Sequence, residues 1–144
     1  MKLPLTGGCI CGAIRYEITE APARVFTCHC TDCQRVTGSA FAIGVAVVPA
    51  GAFHATGKEL RAAAGGVTAE GRSKTHWICP DCGTRISGSP KIGTDPPGYQ
   101  RIVLGGTLDD TSWLRPTTHV WTRSKQPWIV FPEGDEIFDT VRKS

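Results

Sequence analysis

Three cysteines fall within six positions of the segment Thr27 to Phe41 (TCHCTDCQRVTGSAF): Cys28, Cys30 and Cys33. Neighbours this close cannot reach three separate disulfide partners without strain, because a disulfide fixes its Cα separation and dihedral within narrow limits. They can instead hold one soft metal ion. Three protein ligands are also what a catalytic zinc site uses when its fourth position stays open. If the chain is extended here, Cys28 and Cys30 share one face and His29 points to the other. His29 is therefore not expected to ligate the same ion. Thr31 and Asp32 can cap a short helical turn carrying Cys33, Gln34 and Arg35. Thr37-Gly38-Ser39 follows as a polar turn with backbone N–H groups free to donate.

Four more cysteines come as two pairs. Cys9 and Cys11 lie in Gly7-Gly8-Cys9-Ile10-Cys11-Gly12, where glycine permits positive φ on either side. In an extended segment positions i and i+2 share a face, so both sulfurs can turn to one ion. Cys79 and Cys82 lie in Cys79-Pro80-Asp81-Cys82-Gly83-Thr84, a zinc-knuckle pattern. A closed structural zinc site needs four ligands, usually from two pairs. Joining Cys9, Cys11, Cys79 and Cys82 leaves Cys28, Cys30 and Cys33 as a second, three-ligand site. Two other divisions stay open. The triplet can be a set of idle or redox-sensitive thiols beside a single zinc, or one zinc can take Cys28, Cys30, Cys79 and Cys82, which strands Cys9 and Cys11.

The odd count of seven cysteines already argues against full disulfide pairing. The segment Met1 to Thr6 has no apolar run long enough for a signal peptide, so a reducing, cytoplasmic setting is expected, where such spacings favour metal. No window approaches 18 consecutive apolar residues, which excludes a helical membrane span. The net charge of +3 comes without a basic run, which argues against a dedicated nucleic-acid binder. A chain of 144 residues is most simply one domain, 1–144, with enough buried surface for an ordinary core.

The remaining patterns are those of strands. Ile14, Tyr16 and Ile18 alternate with Arg15 and Glu17, giving a half-buried strand in which Arg15 and Tyr16 have structural roles. Val25 to Thr27 begins a second strand that delivers Cys28. Phe41 to Val48 is a nearly continuous apolar run, expected at the centre of a sheet. Residues 49 to 72 read as turns around a short strand or two. Lys74 to Cys79 is extended, with Thr75 and Trp77 opposite Lys74 and His76. Gly88 to Gly98 is a loop, Arg101 to Leu108 a strand, Asp109 to Trp113 a turn, and Thr118 to Thr122 a late strand. Ser124 to Trp128 is a loop, and Ile137, Phe138 and Val141 are candidates to dock the tail. No long amphipathic helix is found. The fold class is mainly β, with packed antiparallel sheets, zinc knuckles and little helix.

Four ordered motifs together resemble the glutathione-dependent formaldehyde-activating enzyme family, whose superfamily includes the centromere protein V group. They are Gly8-Cys9-x-Cys11-Gly12 with Arg15-Tyr16; Cys28-His29-Cys30 through Cys33-Gln34-Arg35 to Thr37-Gly38-Ser39-Ala40-Phe41; Cys79-Pro80-x-Cys82-Gly83-Thr84; and His119-x-Trp121 with Ser124-Lys125-x-Pro127-Trp128. The resemblance implies a β-tent fold with one structural and one catalytic zinc ion. It matches Cys9, Cys11, Cys79 and Cys82 to the structural ligands and Cys28, Cys30 and Cys33 to the catalytic ones. It implies a carbon–sulfur lyase that joins glutathione and formaldehyde to give S-hydroxymethylglutathione. Glutathione carries carboxylates, for which Arg35, Lys125 and the N–H groups of Thr37, Gly38 and Ser39 are candidate partners. The plainer reading of Arg35 and Lys125 is solvated surface charge, and that of Trp121 and Trp128 is core or pocket wall. The rival functional class is a zinc-stabilised module that binds a protein or nucleic acid without catalysis.

Overall fold

The computed structural model describes residues 1–47, 49–67, 73–88 and 98–141. Most of the loop expected over Gly88 to Gly98 lies outside the described residues. Within them the chain runs β1 (Leu5–Gly8), β2 (Ile14–Ile18), β3 (Arg24–Cys28), α1 (Thr31–Thr37), β4 (Ala42–Val47), β5 (Phe53–Gly57), β6 (Arg61–Val67), β7 (Ser73–Ile78), β8 (Arg85–Gly88), β9 (Arg101–Leu104), β10 (Thr118–Val120) and β11 (Glu136–Phe138). No described helix is long and apolar enough to cross a membrane.

The strands form two sheets. One has three strands in the order β1-β2-β5, and the other has eight in the order β11-β10-β3-β4-β9-β8-β7-β6. The apolar run becomes β4, which lies between β3 and β9, inside the large sheet as its composition requires. Pairing is antiparallel except at one edge, where β10 runs parallel to both β3 and β11. An antiparallel pair can be joined by a tight turn. A parallel pair needs a long return, and 89 residues separate Cys28 from Thr118.

The two sheets share one core. Ile14, Tyr16 and Ile18 of β2 pack in a single cluster with Val45 and Val47 of β4, Phe53, Ile86 and Val103. The alternation in β2 is complete, with Arg15 and Glu17 exposed. Arg15 makes an ion pair with Asp109, and Tyr16 Oη lies 2.8 Å from Thr107 Oγ1. Both residues hold the small sheet against the segment after β9. Gly44 keeps β3 and β4 in contact, because a Cβ there would collide with the Phe26 ring.

Two elements end earlier than the sequence suggests. The strand from Arg101 stops at Leu104, and Gly105–Thr107 forms a 3-10 turn. A Cβ on Gly105 would lie 2.8 Å from Ile43 Cγ2 and 2.9 Å from Leu114 Cδ2, so close packing selects the glycine that ends the strand. The late strand stops at Val120, because Trp121 takes a left-handed φ of 59° and a 3-10 turn follows over Thr122–Ser124. In β7 His76 is the buried side chain. The tail docks through β11 backbone pairing, with Phe138 half-buried and Ile137 exposed.

Replacing Ile86, fully buried in the shared core, by alanine is expected to cost about 2–5 kcal/mol of stability. The measurement is urea unfolding, read as a lower midpoint at unchanged slope. An unchanged midpoint would place Ile86 outside the cooperative core.

Candidate metal centre

The structure gathers the seven sulfurs into two groups. Cys9, Cys11, Cys79 and Cys82 form one, Cys28, Cys30 and Cys33 the other, and within each group all sulfurs lie within 4.8 Å of one another. None is in a disulfide. Either group could hold a metal ion. Cys28 and Cys30 do not join Cys79 and Cys82.

The four-sulfur group is built by two turns. Cys9 to Cys11 is a turn rather than an extended pair, closed by Gly12 N–H donating to Cys9 O at 3.1 Å, with Gly12 at φ 77°. Gly8 belongs to β1 and only Gly12 uses positive φ. The turn still brings Cys9 and Cys11 to 3.5 Å. The knuckle closes with Gly83 N–H donating to Cys79 O at 3.0 Å, again with positive φ at the glycine. Cys11 and Cys79 then stand 3.7 Å apart. Thr84 stitches the halves, accepting from Ile10 N–H at 3.3 Å and meeting Cys82 Sγ at 3.2 Å. The Thr84 hydroxyl and N–H and the Cys11 N–H draw the Cys82 thiol down to about 5. Burial pushes Cys9 up, but the Ile14 N–H and the Cys11 and Cys79 thiols outweigh it.

The three-sulfur group sits where β3 meets α1. Cys28 ends the strand, and Cys30 is the helix N-cap, its sulfur accepting from Cys33 N–H at 3.4 Å. The cap is thus a thiol and not Thr31 or Asp32. Cys28 and Cys33 donate toward Cys30 and hold it down at about 2, while their own thiols are pushed up. Crowding alone therefore supports one thiolate among three sulfurs. A bound cation would stabilise all three.

Three residues beside this group carry no motif signal. Arg85 opens β8, directly after the knuckle, and is half-buried. Its Nε and Nη1 are buried with no partner. Desolvation pulls its pKa down, and Cys33, Cys28 and Cys30 oppose that pull. Lys74 Nζ is 2.5 Å from Asp32 Oδ2, tying β7 to the first turn of α1. His76 is buried, and burial followed by Arg85 and Lys74 lowers it to about 4, so it is neutral near pH 7. The one hint in the sequence was a charged residue two positions after the knuckle glycine, next to the apolar Ile86.

The other candidate residues are placed as follows. Arg35 is exposed in the last turn of α1. Gly38 is the left-handed C-cap, and Thr37 Oγ1 donates to Cys33 O at 2.7 Å and accepts from Ser39 N–H at 3.2 Å. Ser39 N–H is therefore already engaged. Lys125 Nζ donates to Ile129 O at 3.0 Å. His29 is buried on the opposite face of β3 and bonds Thr27, not the sulfur cluster.

Residues 4–124 match the family model described as glutathione-dependent formaldehyde-activating enzyme. The chain belongs to this family. The matched segment takes in both sulfur groups of the glutathione-dependent formaldehyde-activating domain and ends at the 3-10 turn before Lys125. Among solved structures, the chain is similar to a Rhodobacter sphaeroides protein at 19% identity, with a TM-score of 0.53 over 92% of this chain and 98% of that one. At that identity the likeness shows a shared fold.

Gln34 ties α1 to the late loop. Its Nε2 donates to His29 O and Ser124 O, both at 2.8 Å, and its Oε1 accepts from Gln126 Nε2 at 2.7 Å. Gln34→Ala is expected to lower stability by about 2 kcal/mol, because partners are left unsatisfied. Chemical denaturation measures this, and metal content per chain should not change. A neutral effect would mean that water replaces the whole network.

Proposed function

We propose that this chain is a zinc-dependent carbon–sulfur lyase of the S-hydroxymethylglutathione synthase type, acting on a thiol such as glutathione and a small aldehyde such as formaldehyde. The observation that carries the reading is the three-sulfur group, one donor short of a tetrahedron, with the unpartnered donors of Arg85 beside it. Cys9, Cys11, Cys79 and Cys82 suit a closed structural zinc site, and Cys28, Cys30 and Cys33 an open catalytic one. The donor set fits the metal: sulfur throughout, with N–H groups of Ile14 and Cys33 directed at Cys9 and Cys30. Seven unpaired cysteines also suit a reducing, cytoplasmic compartment.

A free thiol is mostly protonated near neutral pH, with an ordinary pKa of about 8.5. Zinc bound by the triplet supplies positive charge that favours the thiolate of an incoming substrate. Three thiolate ligands already donate heavily, so positioning contributes more than Lewis acidity. The reaction forms one S–C bond and breaks the C=O π bond. The thiol proton ends on the aldehyde oxygen, which becomes the hydroxyl of the hemithioacetal. Arg85 is suited to two tasks here: its Nε–H and Nη1–H can stabilise negative charge developing on that oxygen, or receive a substrate carboxylate. Arg35 and the Gly38 N–H lie at the far end of α1 and are secondary candidates for a carboxylate. Lys125, already bonded to Ile129 O, is less available.

Two variants test the division of labour. Cys30→Ser should lose thiol-dependent aldehyde consumption and one zinc per chain while keeping the fold. Cys82→Ser should instead melt far below wild type, since structural zinc contributes directly to folding free energy. Arg85→Leu should keep both metals and reduce kcat/KM for glutathione with formaldehyde by about 10²-fold or more, in the range seen for loss of a charge-stabilising donor. A wild-type protein with both zinc ions and no activity toward any thiol–aldehyde pair would be a zinc-stabilised binding module instead.

A further inference from the structure

α1 brings one ion pair to the edge of the three-sulfur group. Asp32 stands between Cys30 and Cys33 in the first turn of the helix, and its N–H is directed at the Cys30 sulfur. Lys74 of β7 reaches across to it, with Nζ 2.5 Å from Asp32 Oδ2. The ammonium lies close enough to Cys30 and Cys33 to interact with charge on both sulfurs. Lys74 and His76 share one face of β7, and His76 senses Arg85, Lys74 and Asp32 together. One cluster therefore holds three sulfurs, two cations and one carboxylate. Its members differ in access. The Lys74 and Asp32 side chains are 30% and 46% exposed, whereas Nε and Nη1 of Arg85 and the His76 ring are buried. The ion pair is the part of the cluster that a ligand meets first.

An ion pair this open to water contributes little to stability, because solvent screens it and two flexible side chains must be ordered. Its placement gives it a second use. A lysine alone beside the sulfurs would attract any anion. The neighbouring carboxylate cancels that net attraction and leaves a local dipole, positive at Lys74 Nζ and negative at the Asp32 oxygens. A ligand gains from such a dipole when it carries both charges close together in the opposite sense. Lys74 has three N–H donors and Asp32 two carboxylate oxygens, more than the one bond between them uses. The pair can stay formed and still bond a carboxylate through the lysine and an ammonium through the aspartate. Both would be charge-assisted bonds, the strong kind. An α-amino acid end, with ammonium and carboxylate on one carbon, meets both demands.

We propose that Lys74 and Asp32 form a subsite for the zwitterionic amino-acid end of the thiol substrate. Lys74 Nζ–H donates to its α-carboxylate, and its α-ammonium donates to the Asp32 carboxylate. The proposal rests on the reading of Cys28, Cys30 and Cys33 as the place where the thiol reacts. It narrows the substrate class to a thiol that carries a free α-amino acid end. That chemistry occurs in glutathione, through its γ-glutamyl end, and in free cysteine, at different distances from the sulfur. Asp32 shares a helical turn with Cys30 and Cys33, so whatever it holds is fixed relative to those sulfurs. Both residues bind and orient, and neither takes part in the bond that forms.

The test uses the full-length, zinc-loaded protein and three thiols of one length. These are glutathione, glutaryl-cysteinylglycine, which lacks the α-ammonium, and 4-aminobutyryl-cysteinylglycine, which lacks the α-carboxylate. Affinity is measured by calorimetry, and formaldehyde consumption is followed separately. Glutathione should bind at least about tenfold more tightly than either analogue, the loss expected for one charge-assisted hydrogen bond. Lys74→Met should erase only the penalty for the missing carboxylate, and Asp32→Asn only that for the missing ammonium, with zinc content unchanged in both. Free cysteine, set against cysteamine and 3-mercaptopropionate, distinguishes the two sources: a tenfold preference in that series and none in the longer one assigns the subsite to cysteine. Tightest binding of the glutaryl thiol would mean plain attraction of anions and would overturn the proposal. So would equal affinities within both series, or variants that weaken all three longer thiols by one factor, as loss of a merely structural tie does. Those failures leave formaldehyde consumption by the wild type intact. A protein with the expected order of affinities and no aldehyde consumption contradicts the reaction and not the subsite, and one that binds no thiol overturns both.

Discussion

Seven sulfurs drawn into two groups, each within 4.8 Å, set the terms for everything around them. Thiols that close share protons rather than lose them, as the opposed shifts of Cys28 and Cys30 illustrate. The chain answers with N–H groups aimed at sulfur and with tight turns that hold the cysteines. In the four-sulfur group those turns belong to distant parts of the chain. One closes β1 onto β2 and the other closes β7 onto β8, so the group fastens the small sheet to the far end of the large one. Lys58 reinforces the junction, bonding the Asp81 carboxylate at 2.7 Å and Ala13 O through its backbone. The same knuckle starts β8 and so fixes where Arg85 emerges. A structural cluster thereby positions the cation beside the other three sulfurs.

The strand β3 shows how one local rule separates two environments. Period-two alternation sends Cys28 to one face and Thr27 to the other. The residue two positions after each continues the division, giving Cys30 with Cys28 and His29 with Thr27. One face is sulfur with a guanidinium and an ammonium nearby. The other is a histidine–threonine–histidine chain under aromatic rings. No residue is shared between the two, yet they lie one side chain apart along the backbone.

How far the sequence led can be traced to individual residues. The division of the cysteines into four and three was legible because C-x-C, C-x-C-x2-C and C-x2-C are local spacings and count alone restricts how they combine. The core strands were legible from the alternation in Ile14 to Ile18 and the apolar run that became β4. Arg85, Lys74 and His76 were not, because their importance comes from β7 and β8 folding beside α1, a contact between residues some forty or fifty positions apart. The parallel pairing of β10 was hidden for the same reason. Local misreadings had local causes. The helix cap went to Thr31 and Asp32 because oxygen caps are the rule, whereas a sulfur one residue earlier took the Cys33 N–H. Thr37 to Ser39 read as free donors, yet Thr37 folds back onto both ends of that turn.

The sulfur cap also explains how so short a helix is held. Seven residues are too few to be helical by propensity in water. None of them is buried, so core packing does not hold them either. What remains is attachment at defined points: Cys30 at the start, Asp32 to Lys74 on one side, Gln34 to Ser124 and Gln126 on the other, and Gly38 at the end. Cys30 belongs to both the cap and the sulfur group. A cation on that group and the first turn of α1 therefore stabilise each other. A metal favours the thiolate form of the sulfur, which accepts the N–H bond best, and the N–H bond in turn orients that sulfur. The geometry of the three-sulfur group is thus set jointly by the end of β3 and by a helix that the group itself helps to form.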